Sequence, residues 1–496
     1  MLCNFAFIKM KSMQLTNTDL LQKDIFINNE WIAGEGNQRF AVYNPADGSK
    51  IIEVAGATVK ETEQAIAAAT TAFISWSNTP AKIRGAILRK WYQLITDNTN
   101  DLALLLTTEQ GKPLAEAKGE VAYGASFIEW FAEECRRTYG ETIPSPVMDK
   151  RFITIKQPIG VVAAITPWNF PIAMITRKIA PALAAGCTVV LKPAEDTPLC
   201  ALALAKLAVD AGFPEGVLNV LPTMQAAEVG QVLTTHPGIA KVSFTGSTEV
   251  GRILMKQSSS TVKKLSLELG GNAPVIVFED AKIEVAVKGT IASKYRNAGQ
   301  TCICANRILV QEGIYDSFMD AYMKAVATLQ VGNGVDDNVQ IGPLINEDAV
   351  QKVETLMQDA VNNGAKVVLG GKKHSAGELF YEPTIITHCN SNMRLSNEEI
   401  FGPVSAIFTF KTDEEAIALA NATEYGLAAY FFTDNVSRAW RVAEQLQYGI
   451  VGINEGIISY TEVPFGGVKQ SGYGREGSRY GIEEYMSIKY ICFGDM

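Results

Sequence analysis

From Gly160 onward, short apolar runs alternate with stretches of helical spacing, and this alternation constrains the fold more than any other feature of the chain. Residues 161–165 read as a strand, 172–185 as a helix stopped by Gly186, and 188–191 as a second strand. Thr197 and Pro198 then read as the N-cap and first residue of a helix running to Gly212, with strands at 217–221 and 240–244. Strands separated by helices of this length pair in parallel, and such sheets bind ligands beyond the carboxyl ends of their strands. Asn169, Lys192 and Gly246 all fall just after one of these strands. A second alternating region follows Gly271, with strands at 273–278, 307–310, 404–410 and 450–454 and helices such as 315–329 and 350–363. Upstream, Thr58-Val-Lys-Glu61 has the capping-box pattern ahead of Ala65, Ile66, Ala69, Ala72, Phe73 and Trp76 at helical spacing, which predicts an amphipathic helix.

At 496 residues the chain exceeds one ordinary core, so two large domains with a small extra element are expected. Its 47% hydrophobic and 20% charged residues, without an apolar run of membrane length, describe a soluble globular protein. A net charge of −9 argues against a nucleic-acid surface, although a local basic pocket could hold an anion, and Arg177 and Arg296 are the candidates. Eight cysteines show no framework spacing, and the only histidines are His236, His374 and His388. Neither a disulfide scaffold nor a metal site is supported, and a reducing cytoplasm fits best. The opening segment puts its apolar run before its lysines, unlike a secretory signal, so residues 1–20 are expected as a disordered tail. Met10 and Met13 are alternative starts, and an organellar address stays open.

Three segments carry chemistry. Cys302 lies in Asn297-Ala-Gly-Gln-Thr-Cys302-Ile-Cys304, Glu268 opens Glu268-Leu-Gly-Gly-Asn272, and Asn169 sits in Thr166-Pro-Trp-Asn-Phe-Pro171. A sulfur nucleophile attacking a carbonyl needs a base and a donor facing the developing oxyanion, and these segments supply all three. An isolated cysteine is usually buried and inert, so the combination carries the reading. Phe244-Thr-Gly-Ser-Thr-Glu-Val-Gly251 follows a strand and opens a helix, where Gly246 and Ser247 could meet a pyrophosphate; a plain helix-entry turn is the competing reading. Gly472-Tyr-Gly-Arg-Glu-Gly477 matches the dinucleotide pattern literally but follows a loop and lacks the βαβ context, and is set aside.

With Leu191-Lys-Pro-Ala-Glu195, Glu399-Ile-Phe-Gly-Pro403 and Pro464-Phe-Gly-Gly-Val-Lys469 added in order, the chain resembles the NAD(P)-dependent aldehyde dehydrogenase superfamily from about Phe26 to its C-terminus. The resemblance implies an α/β fold of two Rossmann-like parallel-sheet domains, cofactor and catalytic, plus a small β oligomerisation element. It places the NAD-binding domain at 21–143 and 163–268 and the catalytic domain at 269–465, with 144–162 and 466–496 as oligomerisation element and tail. By the same resemblance Cys302 is the nucleophile, Asn169 the oxyanion donor and Glu268 the base that activates water on a thioester. Lys192 and Glu195 would hold the adenosine ribose, Glu399 and Phe401 the nicotinamide ribose, and Trp168 and Ser247 would line the cofactor path. A carboxylate at Glu195 would repel the extra phosphate of NADP, so NAD is favoured over NADP.

Within the superfamily the chain looks most like the succinate-semialdehyde dehydrogenase branch, on Gly299-Gln-Thr-Cys-Ile-Cys-Ala-Asn306, Met174-Ile-Thr-Arg177, Lys294-Tyr-Arg296 and Gly456-Ile-Ile-Ser459. That likeness implies that Arg177, Arg296 and Ser459 grip a distal carboxylate, which suits a guanidinium fork. Glutarate semialdehyde is the nearest rival substrate, because a pocket discriminates one methylene by only about 1–3 kcal/mol. Cys304 is a candidate redox partner of Cys302, although strand neighbours two apart on opposite faces would need a bent loop to pair. A homo-oligomer, dimer or tetramer, is expected through a strand-like segment at 485–493. A cysteine hydrolase would want a histidine partner, a CoA-acylating enzyme would leave Glu268 idle, and a silent binding protein would have no use for Cys302.

Overall fold

Apolar runs buried on both faces build parallel sheets. Val161–Ile165, Thr188–Lys192, Ala273–Val277 and Ala305–Gln311 are buried along their whole length. In the first sheet Lys264–Glu268, Ile239–Thr245, Val161–Ile165, Thr188–Lys192 and Leu218–Val220 lie side by side in parallel. Antiparallel strands close both edges, Gly472–Tyr473 on one side and Ile25–Ile27 with Glu30–Ile32 on the other. Strand order reverses at Val161–Ile165, so a crevice opens at its carboxyl end. The second sheet runs Lys366–Leu369, Thr384–Thr387, Val404–Phe410, Ala305–Gln311, Ala273–Val277, Ala428–Phe432 and Ile450–Ile453, parallel except for its first strand. A third, antiparallel sheet joins Met486–Phe493, Arg151–Pro158 and Thr142–Ile143.

This computed structural model describes residues 13–495. Of the expected disordered tail, 1–12 lie outside the described residues, whereas 13–20 are held in place. Leu20 is fully buried, and the Asp101 carboxylate accepts from the N–H groups of Thr16 and Asn17 at 2.9 and 2.7 Å. Met13 and Leu15 also pack against the core, but three apolar residues without helical or strand spacing give no periodic signal, so this anchoring is invisible to pattern reading. The capping box at Thr58 forms and opens the helix Val59–Trp76. Gly186 closes Ala173–Ala185 at φ 102°, in the left-handed region that favours glycine. The helix Leu199–Ala211 departs from expectation at its start. Thr197 does not cap it; the carboxylate of distant Glu109 accepts from Leu199 and Cys200 N–H at 2.8 and 2.9 Å. Among the described residues no helix is long and apolar enough to cross a membrane.

Candidate active site

Only residues 269–272 separate the last parallel strand of the first sheet from the first strand of the second. The carboxyl edge of one sheet therefore meets the amino edge of the other, and the chemistry-bearing segments gather at this seam. Asn169 follows Val161–Ile165 and Glu268 ends Lys264–Glu268, whereas Cys302 precedes Ala305–Gln311 and Glu399 precedes Val404–Phe410.

The loop carrying Cys302 is bent by three consecutive left-handed residues, Asn297, Ala298 and Gly299, at φ 52°, 55° and 77°. Asparagine tolerates this region and alanine does so at a cost, so the surroundings must hold the loop. Gly299 has no room for a side chain, since a Cβ would lie 2.2 Å from the Gly402 carbonyl oxygen. Gly271 is equally constrained, because its Cβ would lie 2.3 Å from the Cys302 carbonyl oxygen. The Glu268-Leu-Gly-Gly segment thus lets the Cys302 backbone lie close against it.

Cys302 shares a pocket with Asn169, Arg177, Arg296 and Ser459, walled by Tyr123, Phe170, Met174 and Phe465. Burial pushes its thiol up to about 12, only partly offset by Arg177, while Glu399 and Glu268 add to the rise. A thiol so placed is protonated at neutral pH and needs a base to become a nucleophile. Glu268 is buried with neither carboxylate oxygen hydrogen-bonded. Burial and the like charge of Glu476 raise its carboxyl above the ordinary carboxylate range, against the pull of Arg177 and Lys178, which suits a base working near neutrality. The Asn169 amide donates one N–H to the Gln300 carbonyl at 3.0 Å, which fixes its plane and leaves the second N–H for another acceptor.

The two arginines differ. Arg177 is buried, its guanidinium 4.2 Å from the centre of the Phe465 ring and its Nε paired by charge with Glu476; no aligned hydrogen bond joins Nε to that carboxylate, and Nη2 has no partner. Arg296 lies over the Phe170 ring at 4.9 Å. Both face the pocket that holds Cys302 and Ser459. Cys304 turns elsewhere, because its sulfur meets Lys294 Nζ at 3.4 Å and donates to the Lys294 carbonyl at 3.2 Å, and both Cys302 and Cys304 are free thiols.

The other face of the seam is a cradle. Gly246 ends the turn after Ile239–Thr245, where a Cβ would strike the Phe244 ring at 2.4 Å, and Ser247 caps the helix Thr248–Ser258 by accepting from Val250 N–H. Buried hydroxyls of Thr166 and Thr245 at the two adjacent strand ends lack partners. Lys192 Nζ lies 3.1 Å from Glu195 at the end of the neighbouring strand. Burial lifts the Glu399 carboxyl to about 7, and Gly271 N–H donates to it at 3.4 Å. Trp168 and Phe401 meet edge to face at 5.6 Å, with Phe401 at φ 57°. Unpartnered hydroxyls, free helix N–H groups and a glycine floor fit a dinucleotide laid across the strand ends.

Sequence reading missed Tyr123 and Phe465 in the pocket, and also Glu476, which pairs with Arg177 and Lys178. Glu476 lies within the segment set aside as a false dinucleotide motif. That segment forms the short edge strand Gly472–Tyr473, antiparallel to Lys264–Glu268, and the turn into Ser478–Glu483.

The aldehyde dehydrogenase family model matches residues 31–491. Mitochondrial succinate-semialdehyde dehydrogenase of Arabidopsis thaliana is 58% identical over 98% of this chain and 92% of its own length. The Escherichia coli succinate-semialdehyde dehydrogenase [NADP(+)] GabD is 56% identical over 97% of this chain and all of its own. The crystal structure of succinate-semialdehyde dehydrogenase from Burkholderia pseudomallei superposes with a TM-score of 0.96 at 54% identity, covering 97% of this chain and all of that one. With the thiol, base and donor gathered at a seam between two parallel sheets, the chain belongs to the aldehyde dehydrogenase family, as an NAD(P)-dependent oxidoreductase.

Proposed function

We propose that the protein oxidises succinate semialdehyde to succinate. The observation that carries this reading is the convergence of Arg177, Arg296 and Ser459 on the pocket that also holds Cys302, so that a short chain with an aldehyde at one end and a carboxylate at the other can be gripped at both. The high identity to succinate-semialdehyde dehydrogenases of two organisms supports it.

The residues then divide the work. The Cys302 thiol gives its proton to solvent water as the sulfur adds to the aldehyde carbon. The second N–H of Asn169 and the Cys302 backbone N–H stabilise the oxyanion of the thiohemiacetal. A nicotinamide dinucleotide, when bound, supplies the hydride acceptor. Glu268 next removes a proton from the water that attacks the resulting Cys302 thioester, and the acid leaves as the thiol re-forms. Overall, aldehyde, water and oxidised cofactor become carboxylate, reduced cofactor and two protons.

For the cofactor, Gly246, Ser247 and Trp168 would line the dinucleotide path, Lys192 and Glu195 would hold the adenosine ribose, and Glu399 with Phe401 the nicotinamide ribose. NAD is the preferred form in this reading, because the Glu195 carboxylate would oppose a further phosphate; the NADP(+) in the name of the Escherichia coli relative makes this preference the part most worth measuring. The first sheet with its helices, 21–143 and 163–268, would be the cofactor domain, and 269–465 the catalytic domain. The edge strand Met486–Phe493, with Ile488 and Tyr490 exposed, supports pairing with a second copy through 144–162 and 466–496. Free thiols throughout the described residues fit a reducing compartment such as the cytoplasm.

The test is the ratio of kcat/KM for succinate semialdehyde to that for uncharged butanal, with glutarate semialdehyde alongside. Removing Arg296 or Arg177 should lower the ratio about 30- to 150-fold, the equivalent of about 2–3 kcal/mol for a hydrogen bond to a charged group. An unchanged ratio in both alanine variants would show the arginines to be structural and would withdraw the substrate.

A further inference from the structure

Lys112, just before the helix Leu114–Glu134, and Glu116 and Glu120 in its first two turns follow one another at intervals of four residues. They do not touch the thiol, yet they reach both segments that flank it. Lys112 Nζ is completely buried and donates to Glu120 Oε2 at 2.5 Å and to the Asn169 carbonyl oxygen at 2.7 Å. The other Glu120 oxygen accepts from Ile172 and Ala173 N–H at 2.9 and 3.2 Å, capping the helix that follows Asn169. Glu116 accepts from Asn297 N–H at 2.9 Å, at the first left-handed residue of the cysteine loop. The Asn297 amide closes the circuit by donating to the Asn169 carbonyl at 3.1 Å and the Gln300 carbonyl at 3.2 Å, the same Gln300 oxygen that orients the Asn169 side chain.

A buried ion pair is a poor way to gain stability, because desolvation of both charges offsets their attraction. Here the pair is spent on geometry: its hydrogen bonds hold the Asn169 carbonyl and the first N–H groups of the helix that follows, and Glu116 holds the loop that fixes the side chain. We infer that Lys112 and Glu120, with Glu116 behind the cysteine loop, are positioning residues that set the Asn169 amide for attack by Cys302. The inference rests on the reading of Asn169 as the oxyanion donor.

A double-mutant cycle on the pre-steady-state burst of reduced cofactor tests it. Asn169→Ala should slow the burst about 100- to 1,000-fold. The paired change Lys112→Met with Glu120→Gln, which leaves no lone buried charge, should slow it about 10- to 100-fold, because small misplacements of a reacting group are costly. Added to Asn169→Ala, the pair should cost less than about twofold more, since its effect runs through an amide already gone. Alkylation of Cys302 by iodoacetamide should be unaffected by the pair, as a loosened fold would not leave it. Should the paired variant fail to fold, Glu116→Gln keeps the buried pair and should slow the burst about fivefold, again only when Asn169 is present. A normal burst in the folded variants, or an equal loss with and without Asn169, overturns the inference. An unslowed Asn169→Ala burst instead overturns the oxyanion reading, and this inference with it.

Discussion

The two sheets meet at the site with opposite edges. The first offers the carboxyl ends of its strands, where Asn169, Gly246 and Glu268 follow or end strands and the helix Thr248–Ser258 presents its N-terminal N–H groups. The second offers amino ends, where Cys302 and Glu399 sit on loops that precede strands. An open parallel sheet makes a ligand crevice at its carboxyl edge through topology alone. An amino edge has no such default, and the second sheet obtains its geometry from left-handed backbone at Asn297 and Ala298, from glycines pressed against carbonyls, and from the Glu116 carboxylate on Leu114–Glu134, which accepts from Asn297 N–H. A parallel sheet can therefore present reacting groups from either edge, but the amino edge depends on specific side chains and so should be the more easily broken.

The largest break is the simplest. Cys302→Ala should reduce steady-state aldehyde oxidation below about a hundredth of wild type, because Cys302 is the only thiol lining the pocket among the described residues, while cofactor binding measured by calorimetry persists. Activity above that level would move the nucleophile elsewhere. The two constrained glycines sharpen the comparison further. Gly271→Ala drives a Cβ to 2.3 Å from the Cys302 carbonyl, so the amino-edge loop must shift and the burst should slow about 100-fold with cofactor affinity kept. Gly246→Ala meets the Phe244 ring at 2.4 Å on the carboxyl edge, so it should weaken cofactor affinity about tenfold with the burst at saturation nearly kept. If both changes alter the same parameter, the Gly271 and Gly246 contacts do not serve the thiol loop and the cofactor separately.

The carboxyl edge was the more legible of the two in the sequence. Strands and helices there announce themselves by apolar runs and by stops such as Gly186, and the catalytic segments are punctuated by glycine and proline. What stayed hidden are partnerships between residues far apart in the chain. Glu109 caps a helix that Thr197 was expected to cap, Lys112 reaches the Asn169 carbonyl, and Glu476 neutralises an arginine expected to serve the substrate alone. A side chain that hydrogen-bonds a backbone group 57 or 90 residues away contributes no period and no local motif. The expected tail at 13–20 is instead anchored, because its contacts are to Asp101 and the core far along the chain, which leaves no local pattern around Leu20.

The division of labour between a first-sheet base and a second-sheet thiol is tested most directly by one experiment, rapid mixing of Glu268→Gln enzyme with saturating succinate semialdehyde and NAD. A glutamine cannot take a proton from water, and the acyl group should therefore stay on Cys302. The expected record is a burst of about one reduced cofactor per active site followed by a steady rate at least about 100-fold below wild type. A trace with no burst, and a first turnover as slow as the later ones, would contradict the account by placing Glu268 in the attack on the aldehyde alone.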